Sequence, residues 1–309
     1  MALHPQAKMI CDAMAANPRP ASDHTNLAEQ RAGFGMLMML AGEPVPVHSV
    51  ADADADGVPV RIFRPSAATD LPVVVVFHGG GWTIGNVEQY EPVARLITNE
   101  ADAIVVSVDY RLAPEYPFPA GLDDCWTALN WVMANAASFG GDATRMAVMG
   151  DSAGGNLAAV CALMARDAGG PNLDLQVLVY PVTDSDLTRG SYSENAEGFL
   201  LTAAEMRWFF EAYTRGGADP ADWRIAPLRH PDLAEVAPAL VITAGYDPLR
   251  DEGEAYAEAL RSAGVPVEVH HFDDMVHGFF GLHGAFDASR EAVAHVGTAL
   301  RRAFGTLDD

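Results

Sequence analysis

Basic side chains are scarce in this 309-residue chain: 19 Lys and Arg stand against 42 Asp and Glu, a formal charge of −23 at pH 7. A surface of that sign repels phosphate backbones and anionic bilayers, which argues against nucleic-acid or membrane partners. Strongly anionic substrates are disfavoured too, unless the site itself is locally positive. Spread over a surface, the same carboxylates simply keep a protein in solution. Cysteine is equally sparse. Cys11, Cys125 and Cys161 have no metal-type spacing, and an odd count without a paired framework suits a reducing compartment. The stretch MALHPQAKMICDAMAANPRP lacks the charged start and apolar run of a secretion signal. The longest strongly apolar run, LPVVVVF (71–77), is far too short to cross a bilayer. A soluble cytoplasmic protein is the expectation.

Apolar material is plentiful. Half the residues are hydrophobic, enough to bury the core of one large domain or two ordinary ones. Short β-rich runs recur at 58–65, 72–78, 103–110, 146–150, 175–182, 239–245 and 267–272. Most are almost wholly apolar rather than alternating, which suits strands covered on both faces of a largely parallel sheet. Amphipathic helical patterns lie between them at 123–136, 155–168 and 251–264. The alternation predicts a three-layer α/β fold.

Two stretches break the alternation. Residues 1–45 are helical in pattern and include the Met-rich GFGMLMML (33–40); residues 184–225 interrupt the strand spacing. Within the second, Thr202 and Glu205 form a capping box, and Met206, Phe209, Phe210 and Tyr213 then share one greasy face. Both stretches are expected to form a helical lid over the carboxyl edge of the sheet, where open α/β sheets bind ligands. The resulting division is 1–45 and 184–225 for the cap, with 46–183 and 226–309 for the core.

Residues 148–156 read VMGDSAGGN. Ser152 follows a strand and precedes a helix, the strand–turn–helix context of a nucleophile elbow, with Gly150 and Gly154 relieving the crowding. The spacing fits neither a phosphate loop nor a dinucleotide fingerprint. HGGG (78–81) follows another strand. Three glycines there let backbone N–H groups approach a ligand: Gly80 and Gly81, with Ala153, are candidate oxyanion donors, and Gly79 shapes the loop. His78 precedes the serine in the chain and is expected to hydrogen-bond within its loop. Asp247, after the run at 239–245, is the candidate acid. Asp-Pro there also reads as a helix cap, and one carboxylate has lone pairs for both uses. Asp251 and Glu252 point less well. Among the later histidines, His270 and His271 lie in a strand, while His277 sits past it on a loop. With His283 and His295 also in view, His277 is the expected base, in the chain order Ser…Asp…His.

With those pieces assembled, the chain closely resembles the bacterial hormone-sensitive-lipase-like esterases, an α/β-hydrolase family, in its subgroup with aspartate before the nucleophile. The resemblance rests on HGGGW (78–82), DYRLAPEYPFPA (109–120), GDSAGGN (150–156), Tyr180-Pro181, DPLRDEG (247–253) and HGF (277–279), and runs from about residue 50 onward. It implies a helical cap, a Ser152–His277–Asp247 triad, an oxyanion site at Gly80, Gly81 and Ala153, and hydrolysis of carboxylic esters of short to medium acyl chain without metal or organic cofactor. Dimers and tetramers are common in the family, so a monomer is not implied. Trp82, Tyr180, Met206, Phe209 and Phe279 are candidate pocket residues, each with core packing as its alternative. Rival functions are an amidase, lactonase or deacetylase on the same triad, and a non-catalytic ligand-binding protein of this fold. A lipase meeting lipid through the Met-rich segment is a third. The intact His277 weighs against the binding protein.

Overall fold

Valine-rich runs without polar interruption must be covered on both faces, and the computed structural model, which describes residues 2–16 and 26–307, buries them that way. Strands β3 (Leu71–Phe77), β4 (Ile104–Val108) and β6 (Leu175–Val179) are buried at every position. They belong to an eight-stranded sheet with β1 (Ser49–Ala55), β2 (Val58–Arg64), β5 (Gly141–Asp151), β7 (Ala239–Tyr246) and β8 (Val267–Val276), in the order β1-β2-β4-β3-β5-β6-β7-β8. The β1–β2 and β2–β4 pairs are antiparallel; from β4 onward all neighbours are parallel. The period-2 alternation of side chains divides the core. Val73, Val75 and Phe77 pack with residues of α4 (Ala120–Asn135), α5 (Ala153–Ala168) and α8 (Arg250–Ser262). Val74 and Val76 pack on the opposite side with α3 (Val87–Ala101) and α9 (Asp287–Ala303). The expected three-layer α/β fold is the observed one.

The differences have local causes. Strand β1 was not among the expected runs because SVADADA carries two aspartates among small residues and is largely exposed; a hairpin holds it on β2. The turn is Asp56-Gly57, both at positive φ, the geometry whose twist matches paired strands. Helix α3 was hidden by Pro92 in its interior, although Asn86 caps it by accepting the Gln89 N–H at 2.9 Å. Strand β8 continues beyond the expected residue 272 to Val276, which delivers His277 to the sheet edge.

Outside the sheet lie α1 (Pro5–Ala16), α2 (Leu27–Met38), α6 (Gly190–Glu194) and α7 (Ala203–Tyr213). Residues 17–25 of the expected amino-terminal helical segment fall outside the described residues. The capping box that starts α7 is formed: Thr202 Oγ1 accepts the Glu205 N–H at 3.1 Å, and Glu205 accepts the Thr202 N–H at 2.9 Å. Its greasy face is buried, with Tyr213 stacked on Trp82 at 4.3 Å. Among the described residues no helix is long and apolar enough to cross a membrane. Replacing the cap, Thr202→Ala, should cost about 1 kcal/mol and lower the melting temperature by a few degrees. An unchanged melting curve would mean that packing alone fixes the start of α7.

Candidate active site

Because β3, β5, β6, β7 and β8 run parallel, the loops after them leave one edge of the sheet. Between β5 and α5 a single residue makes the turn. Ser152 has φ 56° and ψ −119°, a conformation that costs a side-chain-bearing residue free energy. It is held on several sides: its N–H donates to the Val179 carbonyl at 2.8 Å, and its own carbonyl accepts from Asn156 at 3.0 Å and Val182 at 3.2 Å. The turn is tight enough to require glycines around it. A Cβ on Gly154 would lie 2.0 Å from the Phe77 carbonyl oxygen, and one on Gly150 2.2 Å from the Gly154 backbone.

His277 follows β8 directly. Its Nε2 lies 3.0 Å from Ser152 Oγ and its Nδ1 2.7 Å from Asp247 Oδ2. A carboxylate only accepts, so Nδ1 carries the proton and Nε2 presents its lone pair to the serine hydroxyl. Asp247 is fully buried, and its other oxygen accepts the Leu249 N–H at 2.8 Å; α8 (Arg250–Ser262) starts only after Leu249, so the carboxylate fixes the turn before the helix instead of capping it as Asp-Pro suggested. The remaining histidines lie in other contacts. His270 pairs with Glu268 at 2.7 Å and stacks on His295 at 3.9 Å, and His271 meets Thr243 at 2.8 Å. His283 is buried without a polar partner for either ring nitrogen among the described residues. His78 is enclosed, with Nδ1 2.7 Å from the Gly79 carbonyl and its ring 4.3 Å from Tyr110; burial holds its pKa below the ordinary value. It braces the glycine loop, as expected.

In that loop Gly80 and Gly81 have φ of 112° and 56°. The Gly80 carbonyl accepts the N–H groups of Thr83 and Ile84, both at 3.0 Å. Gly80, Ser152 and His277 line one cleft, and Gly79, Gly81 and Ala153 are their chain neighbours. Its apolar wall is supplied by Phe34, Leu37 and Met38 of α2, with Leu200, Leu201 and Tyr180. Of the five expected pocket residues only Tyr180 lines this cleft. Trp82 is stacked beneath α7, Met206 is buried in its packed face, and Phe279 packs on Tyr180 and Phe272. Phe209 presses on the glycine loop, so close that a Cβ on Gly81 would lie 2.2 Å from its ring. Three of the expected aromatics are drawn into packing behind the loops, while the wall joins Phe34 and Tyr180 to Leu37, Met38, Leu200 and Leu201.

A further set of contacts, unmarked in the sequence, ties the segment after β6 to the acid loop. Ser191 Oγ donates to the Pro248 carbonyl at 2.6 Å and Asn195 Nδ2 to the Asp247 carbonyl at 3.1 Å. Glu252, fully buried, accepts the Thr183 N–H at 2.8 Å and the Tyr192 hydroxyl at 3.1 Å. The only sequence signal was that Glu252 belongs to the DPLRDEG run.

A serine, an imidazole and a buried carboxylate in relay at a sheet edge, beside a glycine loop, define a class. The chain belongs to the α/β-hydrolase family, on its hormone-sensitive-lipase-like branch: residues 74–281 match the family described as having the alpha/beta hydrolase fold. Carboxylesterase NlhH of Mycobacterium tuberculosis is 48% identical over 251 residues, covering 80% of this chain and 78% of that protein. The ethyl acetate hydrolase of Pseudomonas putida is 35% identical over 270 residues, 85% of this chain and 84% of its own. Among solved structures, the ester-hydrolase EH1AB1 from the metagenome of Lake Arreo superposes with a TM-score of 0.93 at 40% identity, over 98% of this chain and 100% of that one.

Burial pushes the Glu252 carboxyl up from 4.5 to about 8, the hydrogen bonds from Thr183, Asp184 and Tyr192 only partly offsetting the cost of enclosing a charge. The folded protein thus holds this proton up to about pH 8, while an unfolded chain releases it near 4.5, and the stability carried by this group falls as pH rises through that window. Glu252→Gln should remove the loss. Its melting temperature relative to the parent should be highest above about pH 8, and the advantage should shrink toward pH 4.5. A difference independent of pH would show that the carboxyl does not titrate on unfolding.

Proposed function

We propose that this chain, a carboxylic ester hydrolase, is a serine carboxylesterase acting on small-molecule esters of short to medium acyl chain through an acyl-enzyme on Ser152. The observation that carries the reading is the relay itself: 3.0 Å from serine to imidazole and 2.7 Å from imidazole to a fully buried carboxylate. His277 Nε2 takes the Ser152 proton as Oγ attacks the ester carbonyl. The carbonyl oxygen becomes an oxyanion facing the N–H groups of Gly80, Gly81 and Ala153, the last at the positive end of α5. Asp247 keeps the proton on Nδ1 and stabilises the imidazolium. The alcohol departs with the proton from Nε2, and water then attacks the acyl-enzyme by the same route. The triad and the donors need no metal or organic cofactor.

Helix α2 and the segment leading into α7 overhang the cleft, which supports reading 1–45 and 184–225 as a cap over a core of 46–183 and 226–309. The apolar wall of Leu, Met, Phe34 and Tyr180 side chains favours short to medium acyl groups, and the name of the Pseudomonas relative, an ethyl acetate hydrolase, points the same way. A cytoplasmic location is supported by three buried, unpaired cysteines.

Ser152→Ala should lower turnover of p-nitrophenyl butyrate by about 10⁴-fold or more; near-parental turnover by the folded variant would remove Ser152 from the chemistry. The p-nitroanilide of the same acyl group should be cleaved far more slowly than the ester, and the reverse order would favour an amidase. Enlarging the wall by Leu37→Ala or Leu200→Ala should move the preference toward longer acyl chains. Unchanged relative rates from acetate to octanoate would place the acyl group elsewhere.

A further inference from the structure

The residue before the serine takes no part in the relay, yet it joins three elements of the site. Asp151 ends β5, one residue from the nucleophile. Its Oδ1 accepts the Gly79 N–H at 2.9 Å and its Oδ2 the Tyr90 hydroxyl at 3.1 Å. The fit is close: a Cβ on Gly79 would come 2.4 Å from Asp151 Oδ2 and 2.9 Å from the Tyr90 hydroxyl. Tyr90 rises from α3 and is itself wedged, its ring 6.3 Å from Phe34 of α2 and 5.4 Å from His78.

The loop needs such a hold. Consecutive glycines form the least stiff backbone a chain can make, while oxyanion stabilisation depends on donors already in place before reaction. An error of about 1 Å in such a site costs on the order of 10²-fold in rate. Downstream, the loop is anchored where Gly80 accepts from Thr83 and Ile84. Upstream, the Gly79 N–H is anchored on Asp151. We propose that Asp151 is a positioning residue for ester hydrolysis: its carboxylate clamps the glycine loop to the serine turn and thereby sets the Gly80 and Gly81 N–H groups against the oxyanion. This inference rests on the reading of Ser152 as nucleophile.

The carboxyl faces His277 beyond β8, Tyr90 on α3, Tyr180 after β6 and Tyr110 after β4. Burial lifts it from 3.8 to about 6, against the opposing pull of His277 and the Gly79 N–H. In mildly alkaline buffer it is ionised and at its strongest as an acceptor.

The test compares Asp151→Ala, Asp151→Asn and Tyr90→Phe with the parent on p-nitrophenyl butyrate in that buffer. Rates are expressed per reactive serine counted by stoichiometric p-nitrophenol release from an organophosphate. Asp151→Ala should lower kcat by on the order of 10- to 10²-fold, less than outright loss of an oxyanion donor, with KM changed by less than about twofold. Asp151→Asn, whose amide oxygen still accepts from Gly79, should recover kcat to within about threefold of the parent. A trifluoromethyl ketone, which forms a hemiketal oxyanion on the serine, should bind Asp151→Ala more weakly by the same factor that kcat/KM falls. Parental kcat per site in Asp151→Ala, or an Asp151→Asn variant no better than Asp151→Ala, would overturn the proposal. So would a rise in KM alone. Should Asp151→Ala not fold, Tyr90→Phe decides: removing half of the clamp should lower kcat about two- to fivefold at constant KM, and parental kcat would refute it. Full turnover in Ser152→Ala would instead reject the reading of the nucleophile.

Discussion

The carbonyl of Phe77 lies against the backbone of Gly154, and most of the site follows from that approach. Strands β3 and β5 are paired at Phe77 and Gly150, so the first turn of α5 must start within contact distance of the end of β3. No side chain fits between them. With α5 drawn in so far, one residue has to reverse the chain, and Ser152 takes a left-handed conformation to do it. The same closeness sets the glycine loop, which begins right after Phe77, beside the serine. Strain of this kind costs about 1–3 kcal/mol. It persists because both flanking elements are anchored in a sheet buried on two faces, so relaxing the turn would displace far more than it relieved.

A second constraint concerns charge. The chain is strongly acidic; two of its carboxyl groups, Asp247 and Asp151, interact with one imidazole, and a third, Glu252, is buried beneath the segment after β6. Each is managed differently. Asp247 has no exposure and is matched by the Nδ1–H of His277 and a backbone N–H. Asp151 is held by a backbone N–H and a tyrosine hydroxyl. Glu252 keeps its proton to about pH 8 and acts as a polar tie rather than a charge. Only one of the three therefore lies in hydrogen bond to the imidazole, which gives the ring a single orientation.

The sequence was most informative where chemistry restricts residue type. Gly-x-Ser-x-Gly between a strand and a helix, and a histidine just past a later strand, are patterns few residue types can make, so the meeting of Ser152, Asp247 and His277 was legible in the sequence. Doubly covered strands such as β3 and β4 announced themselves by unbroken apolar runs. What stayed hidden was whatever many residues can do equally well. Much of the cleft wall asks only for apolar bulk, and Leu200 and Leu201 carry no signature; the more conspicuous Trp82 and Phe209 serve packing instead. Strand β1 is specified by its Asp-Gly turn and its neighbour rather than by its own polar, exposed sequence. Ser191 and Asn195 act through backbone carbonyls far along the chain, a kind of partnership that leaves no local pattern.

Those last contacts limit how modular the molecule is. The chain leaves the sheet after β6 and could be cut anywhere before α7 if the insert were a detachable part. Yet its first dozen residues are sewn to the loop bearing Asp247 and the start of α8, through Asp184 and Tyr192 to Glu252, Ser191 to Pro248 and Asn195 to Asp247 itself. A chimaera that exchanged the insert at residue 184 would replace the residues over the cleft and discard the contacts that hold the Asp247 loop in the same step. A junction placed after Asn195 would leave those contacts intact, so the exchangeable unit for grafting new specificities is shorter than the interruption in the strand pattern suggests.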